Sequence, residues 1–129
     1  IRGRNTSCEK VVRSVLHRLG YRFRIHDRSL PGTPDIAFPR RKKVIQVHGC
    51  FWHRHPGCRY AYMPKSRTDF WLRKFEANVA RDQQNSQKLS ELGWSELVVW
   101  ECETRDDSGL QEKLKSFLGP TKICGGKDE

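Results

Sequence analysis

The chain has 129 residues, of which 36% are hydrophobic, 10% aromatic and 31% charged. This length favours a single domain, and the aromatic content excludes a disordered chain. No apolar run approaches the ~20 residues of a membrane-spanning helix, so we expect no membrane partner. The net charge of +10 is uneven, with +9 on residues 1–43, +5 on 44–81 and −4 on 82–129. Such asymmetry favours a surface for a polyanion, nucleic acid ahead of an anionic membrane.

Hydrophobic periodicity predicts a helix and then three short strands in the first half of the chain. The helix starts with a capping box formed by Thr6 and Glu9, carries apolar residues at helical spacing and ends at Gly20. Residues 21–25, 35–38 and 44–48 have the pattern of strands. The turns between these strands are tight, so the strands are expected to pair antiparallel.

The second half begins with residues 49–67, which show no periodicity and form a loop without a core of its own. A long helix then runs from Thr68 to Gly93, followed by a strand at 94–100 and a final helix that Ser108 caps and that reaches Leu118. A long helix before a strand suits a parallel crossover. We predict one α/β domain over residues 1–118, with a mixed central β-sheet flanked by helices on both faces, and a flexible tail at 119–129.

The loop contains a cluster of metal-binding residue types. Cys50, His53, His55 and Cys58 fall within nine residues, and Cys102 follows the last predicted strand. Structural zinc is held by four such ligands in tetrahedral geometry. The cluster predicts a structural Zn²⁺ bound by the three cysteines and one histidine, and the spacing does not choose between the two histidines. The alternative is reduced cysteines beside surface histidines.

The cysteine count adds information about the compartment. The chain has five cysteines, and an odd count without a recognisable signal peptide argues against a secreted disulfide framework. We therefore expect a reducing compartment, with Cys8 and Cys124 as free thiols.

A second candidate site comes from two neighbouring strands. Asp35 opens one predicted strand, and Gln46 to His48 close the next. An acidic residue on one strand with polar groups on its neighbour is a common arrangement in magnesium nucleases. The alternative is that Asp35 caps the turn after Pro34 and His48 is a structural histidine. The residues alone favour this alternative.

Six ordered motifs, spanning about residues 4–104, change that balance. They are Leu30-Pro-Gly-Thr-Pro-Asp35, His48-Gly-Cys-Phe-Trp-His53, Phe70-Trp71, Asn78-Val-Ala-Arg-Asp82, Gly93-Trp94 and Val99-Trp-Glu-Cys102. Together they resemble the very short patch repair (Vsr) family of DNA mismatch endonucleases.

The resemblance implies a restriction-endonuclease-like fold and a Mg²⁺-dependent nick in one strand of double-stranded DNA beside a T:G mismatch, the lesion left when 5-methylcytosine deaminates. It implies a bacterial, cytoplasmic enzyme with a functional link to a cytosine-5 methyltransferase and to downstream repair proteins. One continuous set of motifs suggests that the chain acts as a monomer.

The resemblance also assigns catalytic roles. The family's catalytic residues fall on Glu9, Asp35, His48 and His53, with His53 as general base or leaving-group acid. Its Mg²⁺ ligands fall on Asp35 and the backbone carbonyl of Val47. Valine stands where the family pattern has threonine, and a carbonyl ligand tolerates that change. Glu9 also fits the capping box, and the two roles are compatible.

The remaining assignments concern zinc and DNA. By resemblance, the zinc ligands fall on Cys50, His55, Cys58 and Cys102, although the His55–Cys58 spacing is one residue longer than the tightest family spacing. The aromatic residues that wedge into DNA fall on Phe51, Trp52 and Trp71; the alternative for them is ordinary packing in the core. We assign Asn78, Arg81 and Asp82 only a structural role. The basic run 40–43 is a solvated hairpin or a phosphate contact.

Two rival functions are compatible with the sequence. A restriction-type endonuclease of the same fold would cut both strands of paired DNA. A zinc-containing DNA-binding module would bind DNA and yield no metal-dependent product.

Overall fold

The computed structural model describes residues 7–121. Thr6 of the predicted capping box, Cys124 and most of the predicted tail lie outside the described residues. The elements are α1 (Ser7–Leu19), β1 (Arg24–Ile25), β2 (Ile36–Phe38), β3 (Lys43–His48), α2 (Thr68–Glu91), β4 (Ser95–Trp100), a 3-10 helix (Glu101–Arg105) and α3 (Asp107–Leu118).

The four strands form one mixed sheet in the order β1-β2-β3-β4. The first two pairs are antiparallel, and β3 pairs parallel with β4 after the α2 crossover. The prediction of one mixed α/β sheet is confirmed. His48 lies opposite Trp100 in the β3–β4 register, and Asp35 immediately precedes β2. The residues of interest therefore meet at one end of the sheet.

Helices cover both faces of the sheet, as the sequence predicted. Strand residues alternate between faces, so Ile36 and Phe38 point one way and Ala37 the other. The first face packs on α1 and α3 in the main core, whose buried members are Val12, Val15, Leu16, Tyr21, Ile36, Phe38, Ile45, Val99, Leu110, Leu114 and Leu118. The second face packs on α2 through Ala37, Val44 and Leu89.

The first strand is shorter than predicted. Only Arg24 and Ile25 pair with β2, which itself has three residues. Tyr21 instead enters the main core and donates its hydroxyl to the carbonyl of Gly119. Ile25, although apolar, is 45% exposed. It lies on β1, which is an edge strand of the sheet.

The basic run after β2 has a structural use that the sequence did not indicate. Arg41 donates to the carbonyl of Pro120 at 2.5 Å, and Lys43 donates to the carbonyl of Phe117 at 2.6 Å. Both cations therefore lie at the C-terminus of α3, the negative end of its dipole. Pro120 is held by Arg41, and Gly119 by the Tyr21 hydroxyl, while the flexibility of the tail beyond stays a prediction.

The start of α3 also differs from the prediction. Asp106, rather than Ser108, caps the helix, with its carboxylate accepting from the backbone N–H of Gly109 at 3.2 Å. The cap therefore lies two residues earlier in the chain than predicted, directly after the 3-10 helix, which ends at Arg105. Among the described helices, none combines the length and apolar character needed to cross a bilayer.

Candidate active site and adjoining metal centre

A cleft of about 640 Å³ opens at the end of the sheet where β3 and β4 finish. Its lining includes three of the four predicted catalytic residues, Asp35, His48 and His53. The predicted Mg²⁺ ligand Val47 and the aromatic residues Phe51 and Trp52 line it as well. The fold thus brings residues from two strands and the following loop into one concave site.

Asp35 is fixed against the neighbouring strand. Its Oδ2 accepts a hydrogen bond from the backbone N–H of Val47 at 2.7 Å. The turn before it requires glycine at position 32, where φ is +75° and an added Cβ would lie 2.6 Å from the amide nitrogen of Asn85 on α2. This close packing holds the turn on α2 and directs Asp35 into the cleft. Asp35 and the Val47 peptide are placed so that they could hold a divalent cation together.

The two cleft histidines stack on one another. The His48 and His53 rings are nearly parallel, with centroids 3.9 Å apart and an interplanar angle of 6°. Burial, with a further contribution from the neighbouring His53, lowers the pKa of His48 to about 4. His48 is therefore a neutral imidazole at physiological pH and carries no positive charge into the cleft.

Asp82 is a site residue whose role the sequence analysis missed. Its Oδ2 lies 2.6 Å from Nδ1 of His53. A carboxylate can only accept, so Nδ1 carries the proton, and in the neutral imidazole Nε2 of His53 has a free lone pair. The structural role expected for Asp82 is therefore incomplete. The motif that contains Asp82 was a signal, but its position on a long helix did not show which side chain it would meet.

The other two motif residues on α2 do have structural contacts. Asn78 donates to the carbonyl of Trp52 at 3.3 Å and accepts from Arg81 at 3.1 Å. These bonds connect α2 to the loop that carries His53.

Glu9 lies beside the cleft with a partner that the sequence did not single out. It is 2% exposed, and its Oε2 lies 2.6 Å from Nε2 of His26 and 3.8 Å from Arg13. One ligand atom each of Glu9, His26 and Asp35 lies within 4.8 Å of the others. Glu9 is therefore a neighbour of Asp35, in addition to its predicted role in the capping box.

The four predicted zinc ligands meet at one point. One ligand atom each from Cys50, His55, Cys58 and Cys102 lies within 4.8 Å of the others. Nδ1 of His55 is 3.6 Å from the sulfur of Cys50 and 3.5 Å from that of Cys102. A tetrahedral zinc with sulfur at ~2.3 Å and nitrogen at ~2.0–2.1 Å separates such a pair by about 3.6 Å. The donor types and their separations fit a four-coordinate metal of this kind.

The environment of the thiols bears on metal binding. Burial raises the pKa of Cys50 to about 12 and also raises the pKa of Cys102. The backbone N–H of Tyr60 lowers the pKa of Cys58. A cation that binds the sulfurs of Cys50 and Cys102 must displace their protons, so its affinity will fall in acid.

Arg54 holds the loop in a second way, which the sequence did not predict. The guanidinium of Arg54 donates to three loop carbonyls, those of Phe51, Ala61 and Tyr62, at 2.8 to 3.1 Å. It also lies 3.9 Å from the ring centroid of Phe75 on α2. Arg54 therefore closes the loop on itself and fastens it to the long helix.

The predicted wedge residues form one aromatic cluster, consisting of Phe51, Trp52, Tyr62, Trp71 and Phe75. Phe51 is central, with ring centroids of the other four members 5.1 to 5.7 Å away. Phe51, Trp52 and Trp71 are all half-buried. They are thus neither core residues nor isolated surface rings. Phe51 and Trp52 bring the cluster to the wall of the cleft.

Comparison with known proteins agrees with the motifs. The family model for DNA mismatch endonuclease Vsr matches residues 1–59. The type II nicking enzyme V.XorIIP of Xanthomonas oryzae pv. oryzae is 54% identical, over 94% of this chain and 88% of that protein. The DNA mismatch endonuclease Vsr of Escherichia coli is 43% identical, over 95% and 78% respectively. The type II nicking enzyme V.NmeAIP of Neisseria meningitidis is 38% identical, over 95% and 86%. The chain belongs to the Vsr family of DNA mismatch endonucleases, as its motifs predicted.

Proposed function

We propose that the chain is a Mg²⁺-dependent, zinc-stabilised endonuclease that nicks one strand of duplex DNA beside a T:G mismatch and so initiates very short patch repair. The observation that carries the proposal is the meeting, in one cleft of a Vsr-family chain, of the Asp35–Val47 pair with His48, His53 and Asp82. A restriction-endonuclease-like fold is part of the proposal, supported by the mixed sheet that places Asp35 at a strand start. The bacterial relatives support a cytoplasmic site of action.

Asp35 and the Val47 carbonyl would hold the Mg²⁺. When bound there, the ion supplies charge stabilisation at the phosphate and lowers the pKa of a bound water. The carboxylate is suited to this task because the Val47 N–H already fixes one of its oxygens. Little conformational freedom remains for it to lose on binding. Glu9 supports the site as the buried carboxylate next to Asp35.

His53 acts as the general base. Asp82 holds its Nδ1–H at 2.6 Å, so Nε2 is free to take a proton from the attacking water. The carboxylate then stabilises the imidazolium that results, as in other histidine–carboxylate pairs. The water oxygen forms a bond to phosphorus as the P–O bond to the 3′ oxygen breaks. That oxygen takes a proton from solvent, leaving a 3′-hydroxyl and a 5′-phosphate at the nick.

His48 has a different role because it stays neutral. An uncharged imidazole offers one N–H donor and one acceptor, which suits it to contact a phosphate oxygen or to orient the water. Its stacking on His53 also fixes the plane of the catalytic ring.

The aromatic cluster engages the mismatch. Phe51, Trp52 and Trp71 are preassembled beside the cleft, so little side-chain entropy is lost when they enter an opened base step. Stacking on a base contributes ~1–3 kcal/mol, which offsets the cost of unstacking and kinking the duplex.

The zinc site has a structural purpose in this proposal. Zn²⁺ held by Cys50, His55, Cys58 and Cys102 connects the loop to the end of β4. The same loop carries His53 and two of the wedge residues, so the metal would fix the positions of the catalytic and DNA-contacting groups relative to each other.

The proposal is tested by incubating end-labelled duplexes with the protein and Mg²⁺ and resolving each strand separately. A T:G duplex should be cut in one strand only, and Asp35→Asn should abolish the product. Cleavage of both strands of fully paired DNA would identify a restriction-type enzyme instead. Binding of the T:G duplex without any Mg²⁺-dependent product would reduce the chain to a DNA-binding module.

A further inference from the structure

Two arginines converge on one tyrosine beside the cysteine–histidine cluster. The hydroxyl of Tyr60 accepts from Arg105 at 2.6 Å and from Arg59 at 3.0 Å. The two guanidinium carbons lie 4.9 and 5.0 Å from the centre of the Tyr60 ring. Both guanidinium groups therefore lie within hydrogen-bond distance of the single Tyr60 hydroxyl oxygen.

These two charges are not neutralised within the part of the chain that the structure describes. No ion pair with a carboxylate involves Arg59 or Arg105 there, whereas Arg18 is paired with Asp107 at 2.8 Å. Both arginines are exposed. Each guanidinium has five N–H donors, and the bond to Tyr60 uses one of them. The remaining donors face solvent as a concentrated positive site.

The cysteine–histidine cluster sets the spacing of the two arginines. Arg59 directly follows Cys58, and the turn continues with Ala61 donating to the carbonyl of Cys58 at 3.0 Å. Arg105 ends the 3-10 helix that contains Cys102. Residues distant in sequence are therefore brought together at the same place where the four metal-ligand side chains meet.

We propose that Arg59, Tyr60 and Arg105 form a clamp for one backbone phosphate of duplex DNA. The inference rests on the proposed function, since it assumes that duplex DNA is the substrate. Paired guanidinium groups present the forked donors that match phosphate oxygens. Tyr60 acts as the platform that holds both groups in place before DNA arrives. A duplex phosphate is favoured over a free anion because Arg59 lies on the same loop as Phe51 and Trp52, the residues proposed to enter the duplex.

The test is a salt series with the full-length zinc protein and a fluorescent T:G duplex in Ca²⁺, which prevents turnover. Each phosphate contact contributes about 0.9 to the slope of log affinity against log salt. The Arg59→Ala/Arg105→Ala variant should lower this slope by about 0.9 and raise Kd at low salt. Zinc content and melting temperature should equal those of the wild type, which separates lost contact from lost fold.

Two matched variants sharpen the result. Arg18→Ala removes an arginine whose charge Asp107 already balances, so it should leave the slope unchanged. Tyr60→Phe keeps both charges but loses the hydroxyl, so Kd should rise while the slope stays close to that of the wild type. A slope in the double variant equal to that of the wild type would overturn the clamp.

The failures are distinguishable. If the wild type itself binds the duplex without salt dependence, the proposed function fails, because no phosphate contacts are made. A free-phosphate site is examined by adding inorganic phosphate at constant ionic strength. If the added phosphate weakens DNA binding by the wild type but not by the double variant, phosphate and DNA compete for the same two arginines, which supports the clamp. If phosphate binds the wild type and not the double variant, yet leaves the DNA affinity of the wild type unchanged, the site takes free phosphate and the DNA clamp is refuted.

Discussion

Trp100 lies between two clusters, each of which takes a histidine from the same loop. On one side His55 stacks on its ring at 4.3 Å, within the group that contains Cys50, Cys58 and Cys102. On the other side the His48 ring lies nearly perpendicular to that of Trp100, with the ring centroids 5.3 Å apart. One cluster offers soft sulfur donors and the other only nitrogen and oxygen. Their preferred metals differ accordingly.

The separation is produced by the backbone between two nearby histidines. Arg54 lies between His53 and His55 and has a left-handed φ of +56°. The residues on either side of it turn in different directions, one toward Asp82 and the other toward Cys50. The comparison teaches that partners on distant elements, and not position in the motif, decide what each histidine does.

The largest expected effect is on the sulfur side of Trp100. His55→Ala or Cys102→Ser should release the bound zinc and abolish cooperative thermal unfolding, since a structural zinc site requires all four ligands. Zinc is measured by elemental analysis of natively purified protein, and folding by circular dichroism. Wild-type protein that contains no zinc would refute the metal assignment for this cluster.

On the other side of Trp100 the same kind of substitution should affect only the chemistry. His53→Ala should retain zinc, melting temperature and T:G binding, while its nicking rate falls by about 10²–10⁴, the usual contribution of a general acid or base. Loss of zinc from this variant, with retention by His55→Ala, would show that the two histidines have been assigned in reverse.

Asp82→Asn sharpens the same comparison. An asparagine amide can donate to Nδ1, which favours the tautomer with the proton on Nε2 and removes the base. Nicking in single-turnover assays should fall toward the His53→Ala level, with zinc unchanged. Combining the two substitutions should add little, because both disable one unit. Full additivity of the two losses would argue against a functional pair.

The smallest expected effect is a pH dependence of the free energy of unfolding, caused by His48 in the cleft. Because its folded pKa is lowered to about 4, His48 should stay neutral until strongly acid pH, as followed by NMR of its ring. Between the unfolded value of about 6.5 and the folded value, only the unfolded chain takes the proton. This residue's contribution therefore lowers the free energy of unfolding as pH falls through that window. His48→Asn should lack the contribution, and a His48 titration midpoint near 6.5 would contradict it.

The order and type of the elements could be predicted because periodicity and turn residues specify them locally. The antiparallel and parallel pairings followed from connection lengths. The edge strand was overestimated because residues 21–25 have a strand pattern, whereas only a short partner, β2, was available to pair with them. Pattern alone does not report the length of the neighbour.

The site was predicted where motifs are contiguous and missed where partners come from other elements. Asp35 and His53 were expected in one site, and both line the cleft, whereas the contacts of His26 and Asp82 depend on how helices pack on the sheet. Arg41 and Lys43 were interpreted as solvated or DNA-contacting, because nothing in the run indicates that α3 ends beside it. Single arginines such as Arg54 carry no sequence signal for the carbonyls they bind.

The split of the cysteine–histidine cluster along the chain has a consequence for the order of folding. Three of its ligands lie in one loop, but Cys102 arrives only after the α2 crossover and the pairing of β4 on β3. Closing so long a loop is entropically costly, and parallel pairing between distant strands is slow. We expect an ion captured first by the local three ligands to speed this closure, which stopped-flow refolding with and without added zinc would detect. The cluster would then speed folding as well as stabilise the folded protein, and Cys102 would be the last ligand to bind.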